Sequence, residues 1–246
     1  MEGVDATHDT TTPDRATCTE EYASRFSGAV GRWFLEVQGR MVLDLLDDLA
    51  PGSLVLDVGG GHGQLAPRLA DEGFRVVVLG STPECRRLIR SRVRSGRVEF
   101  VVVPFHRLPF ADGAVDAVVS VRMLAHIRDW RSFVREMCRV SAGPVVMDFP
   151  ARRSVNIASS ALYSLKNRAE EDTARPFRTI ERADVERAVR GVDFRLARTR
   201  AQYLWPMALH RLLGRSDLAR LIEAPFRALG ITDRFGSPVV ARAEPR

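Results

Sequence analysis

The chain has 246 residues, of which 45% are hydrophobic and 28% are charged, and its net charge is +6 at pH 7. This composition indicates a globular protein with a sizeable buried core, and no apolar run reaches the length of a membrane span. Lys166 is the only lysine among 37 basic residues, and the arginines form no block. That spread argues against a nucleic-acid-binding surface but is compatible with an anionic small-molecule substrate.

Residues 1–19 are acidic and rich in threonine, without the basic and apolar regions of a signal peptide, and they predict a disordered leader. The cysteines are scattered at Cys18, Cys85 and Cys138, with no CxxC pair and no histidine at ligand spacing. We therefore expect neither a metal site nor a disulfide framework, and we expect a cytoplasmic protein.

An N-terminal helical region is followed by alternating strands and helices. Helices are predicted over 20–49, 64–71, 83–93 and 130–140, and strands over 54–58, 74–79, 98–103, 114–120 and 144–149. After residue 150 the pattern loosens. Helices are then predicted over 154–171, 181–190 and 207–229, a loop over 173–178, and strands over 194–204 and 237–243. This alternation is typical of an α/β protein with a doubly wound, mostly parallel sheet.

The sequence predicts one domain over residues 20–246. Its parts are a cofactor-binding core at 20–150, a substrate-side elaboration at 151–235, and a last strand with the tail at 236–246.

The most specific local pattern is a glycine-rich turn after the first predicted strand. The strand ends near Asp57, and Gly59, Gly61 and Gly63 follow at alternate positions. Glycine allows a sharp turn and the close approach of a ligand. A helix that begins at residue 64 would direct backbone N–H groups towards negative charge. Because ligands of open α/β sheets bind at this strand end, the pattern predicts a small-molecule site.

Further segments follow the glycine turn at ordered spacing. They are Pro83-Glu84, Leu108-Pro109-Phe110-Ala111-Asp112 with Val115–Ser120, and a helical segment with Phe133, Glu136 and Arg139. Together with the turn they resemble class I S-adenosylmethionine-dependent methyltransferases over about residues 20–150. The resemblance implies a seven-stranded sheet whose last strand is antiparallel, with extra C-terminal helices. It also implies S-adenosylmethionine as cofactor and methyl transfer to an oxygen, nitrogen or carbon of a small molecule by in-line displacement.

The resemblance assigns cofactor-binding roles. The expected cofactor-binding residues are Asp57, Gly59, Gly60, Gly61 and Gly63 at the methionine part, Gly80 and Ser81 at the ribose, Phe105 at the adenine, and Arg122 after strand four. Two acids that are common in the family are absent, since Gly80 and Pro104 occupy their positions. A carboxylate–hydroxyl bond is worth about 1.5–3 kcal/mol, so we expect Asp57 and the turn backbone to carry an unusually large share of cofactor binding.

His126 is the candidate catalytic residue, as a general base whose reference pKa of about 6.5 suits neutral pH. The alternative is that it packs against the next helix, because aligning a sulfonium with its acceptor supplies much of the rate. Tyr22, Lys166, Arg178 and His210 are the candidate substrate-binding residues. Their alternative roles are core packing for Tyr22 and ordinary surface positions for the other three.

Two other functions remain open. Residues 61–66 fit the relaxed GxGxxA pattern, and Arg86 and Arg87 would suit the 2′-phosphate of NADP, so an NADP-dependent oxidoreductase is one alternative. That reading gives Asp57 no role. The absent acids also allow a non-methylating cyclase or a partner-binding pseudoenzyme on the same fold.

Overall fold

The computed structural model describes residues 13–15, 17–154 and 178–246. Its strands are β1 (Leu54–Val58), β2 (Arg75–Gly80), β3 (Glu99–Val102), β4 (Ala117–Ser120), β5 (Val145–Phe149), β6 (Phe194–Ala201) and β7 (Val239–Pro245). They form one seven-stranded sheet in the order β3-β2-β1-β4-β5-β7-β6. The strands from β1 to β5 pair in parallel, whereas β7 runs antiparallel to both β5 and β6. This topology confirms the predicted fold.

The helices are α1 (Glu20–Ser24), α2 (Gly28–Asp44), α3 (Ala66–Asp71), α4 (Arg90–Arg94), α5 (Trp130–Val140), α6 (Arg182–Arg190), α7 (Met207–Leu213), α8 (Ser216–Ala228) and α9 (Ile231–Phe235). No helix in the described ranges is long and apolar enough to cross a lipid bilayer.

Each face of the sheet carries its own core, because side chains along a strand alternate between the two faces. Leu56 and Val58 of β1 belong to the cluster that includes Phe133 and Met137 of α5. Val55 belongs to the cluster on the other face, together with residues of α2 and α3. The sheet is therefore covered on both faces, and ligands have access at the carboxyl ends of its strands.

Three elements differ from the prediction. The helix predicted from residue 64 begins at Ala66, because a 3-10 turn over Gly60–His62 comes first and Gly63 ends it in a left-handed conformation. The helix predicted over 83–93 is a 3-10 segment, Pro83–Ile89, followed by α4. Sequence analysis missed α9, whose five residues are too few for a helical period to emerge.

Residues 13–15 and 17–19 of the predicted leader form hydrogen-bonded turns, whereas its other residues lie outside the described ranges. Asp14, Thr17 and Cys18 are buried. The backbone N–H groups of Thr17 and Cys18 both donate to the Asp14 carbonyl oxygen, at 2.8 and 3.0 Å. These bonds close a tight turn, called the N-terminal turn below (residues 13–15 and 17–19), which leads into α1.

Candidate functional site

The glycine-rich turn is built as the sequence indicates, with two residues in the left-handed region. Gly59 has φ +79° and Gly63 has φ +70°, values that strain any residue with a side chain. The Gly59 N–H donates to the Leu79 carbonyl oxygen at 2.8 Å, so the turn lies against the end of β2. The helix that follows, α3, is only six residues long.

Asp57, in β1 just before this turn, has a fully buried side chain. A Cβ placed on Gly60 would lie 2.1 Å from Asp57 Oδ2, so the glycine is required for the carboxylate to fit. Neither carboxylate oxygen has a hydrogen-bond partner among the described residues. Burial raises the pKa of Asp57 to about 7, and the positive charge of Arg122 opposes that rise.

Arg122 extends into the same space from the loop after β4. Its backbone adopts φ +60°, which is uncommon for a residue with a side chain. Its N–H donates to Asp148 Oδ1 at 2.5 Å, and its Nη2 lies 2.9 Å from His62 Nδ1. The buried Nε and Nη1 atoms have no partner among the described residues. Burial lowers the pKa of the guanidinium, which nevertheless remains charged.

His62 completes the polar lining as a neutral group. Burial holds its pKa well below the ordinary value, and the nearby Arg122 charge lowers it further. The ring therefore accepts a hydrogen bond from Arg122 at Nδ1. Its Nε2 atom and Gln64 Oε1 are also buried without a partner in the described ranges. Asp57, Arg122 and His62 thus bring unsatisfied polar atoms close together, since the Arg122 charge acts on both other groups, and such atoms require an explanation.

Aromatic rings from the α1–α2 region cover the Arg122 guanidinium. Its Cζ atom lies 4.6 Å from the Phe26 ring centroid and 5.9 Å from that of Tyr22. These distances are typical of cation–π contacts. The structure therefore brings Tyr22, a candidate substrate-binding residue, to the same site as Asp57 and Arg122.

The end of β2 meets the N-terminal turn. The Ser81 N–H donates to Asp14 Oδ2 at 3.0 Å, and Ser81 Oγ donates to Asp14 Oδ1. A Cβ on Gly80 would lie 2.7 Å from Phe100 Cζ and 3.0 Å from Cys85 Cβ, so the position beside Ser81 is closely packed. Sequence analysis placed Gly80 and Ser81 at the cofactor but gave no sign of Asp14.

Asp148 of β5 is a second residue that sequence analysis missed. Its carboxylate accepts from the Arg122 backbone and, at 2.9 Å, from Gln38 Nε2 of α2. Burial raises its pKa to about 6, although these hydrogen bonds and the Arg122 charge favour ionisation. A signal was available, because Asp148 is an acid near the end of a buried apolar strand, as Asp57 is.

His126 and Arg178 come together at the loop after β4. His126 is half-buried in the 3-10 turn Leu124–His126. The Arg178 N–H donates to the Ala125 carbonyl oxygen at 3.1 Å, and its Nη1 donates to the Arg128 carbonyl oxygen at 3.2 Å. Both candidates therefore flank the Arg122 loop, and their roles remain predictions.

Phe105 and His210 lie in packed interiors. Phe105 is 4% exposed, and its ring centroid lies 6.0 Å from that of Phe133 in the core. His210 is fully buried among aromatic rings, with Nε2 2.9 Å from Glu223 Oε1. Full burial and a carboxylate partner do not suit the anion pocket expected at His210. Lys166 lies outside the described residues.

Within the described ranges, no cluster of three or more histidine, cysteine, aspartate or glutamate side chains is arranged to hold a metal ion.

Comparison with known proteins supports the resemblance of the glycine-rich turn and its surroundings to methyltransferases. Residues 56–143 match the family model described as a methyltransferase domain. An uncharacterised methyltransferase of Mycobacterium sp. strain JLS is 35% identical over 123 residues, which are 48% of this chain and 46% of that protein. The 2-methyl-6-phytyl-1,4-hydroquinone methyltransferase of Synechocystis sp. is 37% identical over 97 residues, which are 39% of this chain and 30% of that protein. The chain spans less than half the length of the curated relatives that it matches.

The fold likeness extends along nearly the whole chain. The solved structure of magnesium protoporphyrin IX methyltransferase from Synechocystis PCC 6803 with bound SAM has a TM-score of 0.65 at 14% identity. The match covers 98% of this chain and 100% of that one. At this level of identity the likeness establishes the fold alone.

Proposed function

We propose that this chain is a class I methyltransferase, which binds S-adenosylmethionine and transfers the methyl group to a small-molecule acceptor. The sheet order and the antiparallel β7 support this proposal, as does the match over residues 56–143. The name of one relative points the same way, since it describes a methyltransferase for a hydroquinone.

The observation that carries the proposal is that an acid and a base in one site each keep two buried polar atoms without partners. Asp57 has two carboxylate oxygens without partners among the described residues, and Arg122 has two such guanidinium nitrogens. Leaving buried charges unpaired is costly unless a ligand pairs them. The methionine end of S-adenosylmethionine carries an ammonium group and a carboxylate group. Asp57 would bind the ammonium group and Arg122 the carboxylate. This pairing explains why both side chains have buried polar atoms without hydrogen-bond partners.

When bound, the cofactor supplies a methyl group on an electrophilic sulfonium, so the protein needs mainly to bind, orient and exclude water. Phe26 and Tyr22 shield the Arg122 guanidinium, and the glycine turn lets the backbone approach the ligand. His126, on the loop after β4, would accept the proton that an oxygen or nitrogen acceptor loses. Arg178 beside it would favour an anionic acceptor, and the free thiols are compatible with a cytoplasmic setting.

The oxidoreductase alternative fits this site less well. A dinucleotide places its pyrophosphate against a glycine-rich turn. Here the pyrophosphate would meet the buried carboxylate of Asp57, which repels it once ionised. Nothing in a nicotinamide dinucleotide supplies the ammonium group that Asp57 would pair with.

Calorimetric titration tests the binding. S-adenosylhomocysteine should bind the wild-type protein, Asp57→Ala should abolish its binding, and Arg122→Met should weaken it about ten- to a hundredfold. 5′-Methylthioadenosine lacks the amino acid group, so its affinity should not change in Arg122→Met. Arg25→Met is the matched control, because Arg25 also lies over the Tyr22 ring but is exposed.

Binding of NADPH without binding of S-adenosylhomocysteine would overturn the proposal, and near-normal affinity in Asp57→Ala would remove the assigned role of that residue. Transfer itself is tested by incubating the protein with tritiated-methyl cofactor and fractionated small-molecule extracts. Failure of every fraction to acquire label, while the cofactor binds, would favour a non-methylating protein.

A further inference from the structure

The N-terminal turn places a buried carboxylate at the ligand-binding edge of the sheet. Asp14 is fully buried, and both of its carboxylate oxygens accept hydrogen bonds from Ser81, directly after β2. We propose that Asp14 also accepts hydrogen bonds from the ribose hydroxyls of bound S-adenosylmethionine. The N-terminal turn would then supply the carboxylate that the end of β2 lacks. This inference rests on the proposed function.

The position of the turn follows from contacts on two sides. Asp14 is bonded to Ser81, and Cys18 Sγ lies 2.6 Å from Cys85 Sγ. Cys85 in turn packs against the glycine turn, since a Cβ on Gly61 would lie 2.7 Å from Cys85 Cβ. The Asp14 carboxylate is therefore held at the same strand edge as the turn that surrounds Asp57.

Asp14 keeps acceptor capacity after its bonds to Ser81. An ionised carboxylate offers about four lone-pair positions, two on each oxygen. The Ser81 N–H uses one position on Oδ2, and the Ser81 hydroxyl uses one on Oδ1. On each carboxylate oxygen, one lone-pair position is therefore not used by Ser81. The vicinal ribose hydroxyls offer two adjacent O–H donors, which match such a pair of acceptors.

Packing explains why the acid does not come from β2 itself. A Cβ on Gly80 would meet the Phe100 ring at 2.7 Å and Cys85 Cβ at 3.0 Å. An aspartate at that position would need the ring to move, because real Cβ contacts are not this short. A carboxylate from residue 80 would thus clash at the end of β2, whereas the Asp14 carboxylate reaches Ser81 there.

The test is a calorimetric comparison of S-adenosylhomocysteine with its 2′,3′-dideoxy analogue, on the full chain. In the wild-type protein the missing hydroxyls should lower affinity about ten- to a hundredfold. Asp14→Asn should weaken binding of S-adenosylhomocysteine by a similar factor while leaving the affinity of the dideoxy analogue nearly unchanged. The matched control is Glu20→Gln, because Glu20 is a nearby acid whose side chain forms an exposed pair with Arg87.

The outcomes separate the hypotheses. If Asp14 only holds the N-terminal turn in place, Asp14→Asn weakens both ligands equally, which overturns the inference. Tighter binding in Asp14→Asn would show that the residue blocks the site, and it would also overturn the inference. If the wild-type protein binds S-adenosylhomocysteine and Asp14→Asn matches it, only the inference fails. If the wild-type protein does not bind, the proposed function fails as well.

Discussion

Asp57 couples the site to pH, because its burial raises the pKa to about 7 whereas an ordinary aspartate ionises near 3.8. The folded free protein therefore favours the protonated carboxyl, and the stability that this provides is lost as the pH rises through about 7. A bound ammonium group favours the ionised form instead. His62 does not titrate in this range, because its pKa lies well below the ordinary value.

The expected result is an affinity for S-adenosylhomocysteine that falls about tenfold between about pH 8 and pH 6, as the Asp57 carboxyl becomes protonated. Calorimetry across this range measures the effect. 5′-Methylthioadenosine serves as the control ligand, because without an ammonium group it should bind with little dependence on pH. A flat profile for S-adenosylhomocysteine would contradict the pairing assigned to Asp57.

At the scale of elements, the strands and the glycine turn were predictable, and the contacts between distant segments were not. The first strand and its turn were visible because an apolar run, an acid and three glycines adjoin in sequence. Asp14 and Ser81 are separated by 67 residues, as are Cys18 and Cys85, and no local pattern links either pair. Arg122 was predicted at the site, but its left-handed backbone and its bond to Asp148 depend on tertiary packing.

The cysteine pair tests the placement of the N-terminal turn. Cys18 Sγ and Cys85 Sγ lie 2.6 Å apart, and the hydrogen bond from Cys85 lowers the pKa of Cys18. Cys18 is thus the residue of the pair that more readily forms the nucleophilic thiolate. Mild oxidation with diamide, which takes up the two thiol hydrogens, should join these residues, and peptide mapping should recover the cross-linked pair. Cys18→Ser should abolish the product, and a link through Cys138 instead would contradict the placement.

At the scale of the whole molecule, two arginines connect the antiparallel end of the sheet to the end of α2. Arg242 of β7 donates to both Asp48 oxygens at 2.6 Å and to the Leu45 carbonyl oxygen at 2.9 Å. Arg198 of β6 makes similar bonds to Asp47 and Leu45. The two differ in burial, since the Arg242 side chain is 6% exposed and that of Arg198 is 41% exposed.

This difference sets the expected stability of two matched variants. Arg242→Met should lower the free energy of unfolding by about 1.5–3 kcal/mol, because the buried guanidinium loses charged hydrogen bonds, one of them to the buried Leu45 carbonyl oxygen. Arg198→Met should cost less than about 1 kcal/mol, as exposed ion pairs do. Denaturant unfolding monitored by circular dichroism measures both values. Equal losses of unfolding free energy in the two variants would show that burial does not decide how much these arginine hydrogen bonds contribute to stability.

The edge strand β3 bears on whether copies of this protein associate edge to edge in concentrated solution. Val101 and Val102 are 39% and 46% exposed there, and among the described residues no strand pairs with the outer side of β3. Such an edge invites a strand from a second copy to add to the sheet, which is the first step of aggregation. Pro104, which cannot donate a backbone hydrogen bond, follows closely after the strand, and Glu99 places a charge at its start. The strand itself has only four residues, and so short an edge is a poor template for such pairing.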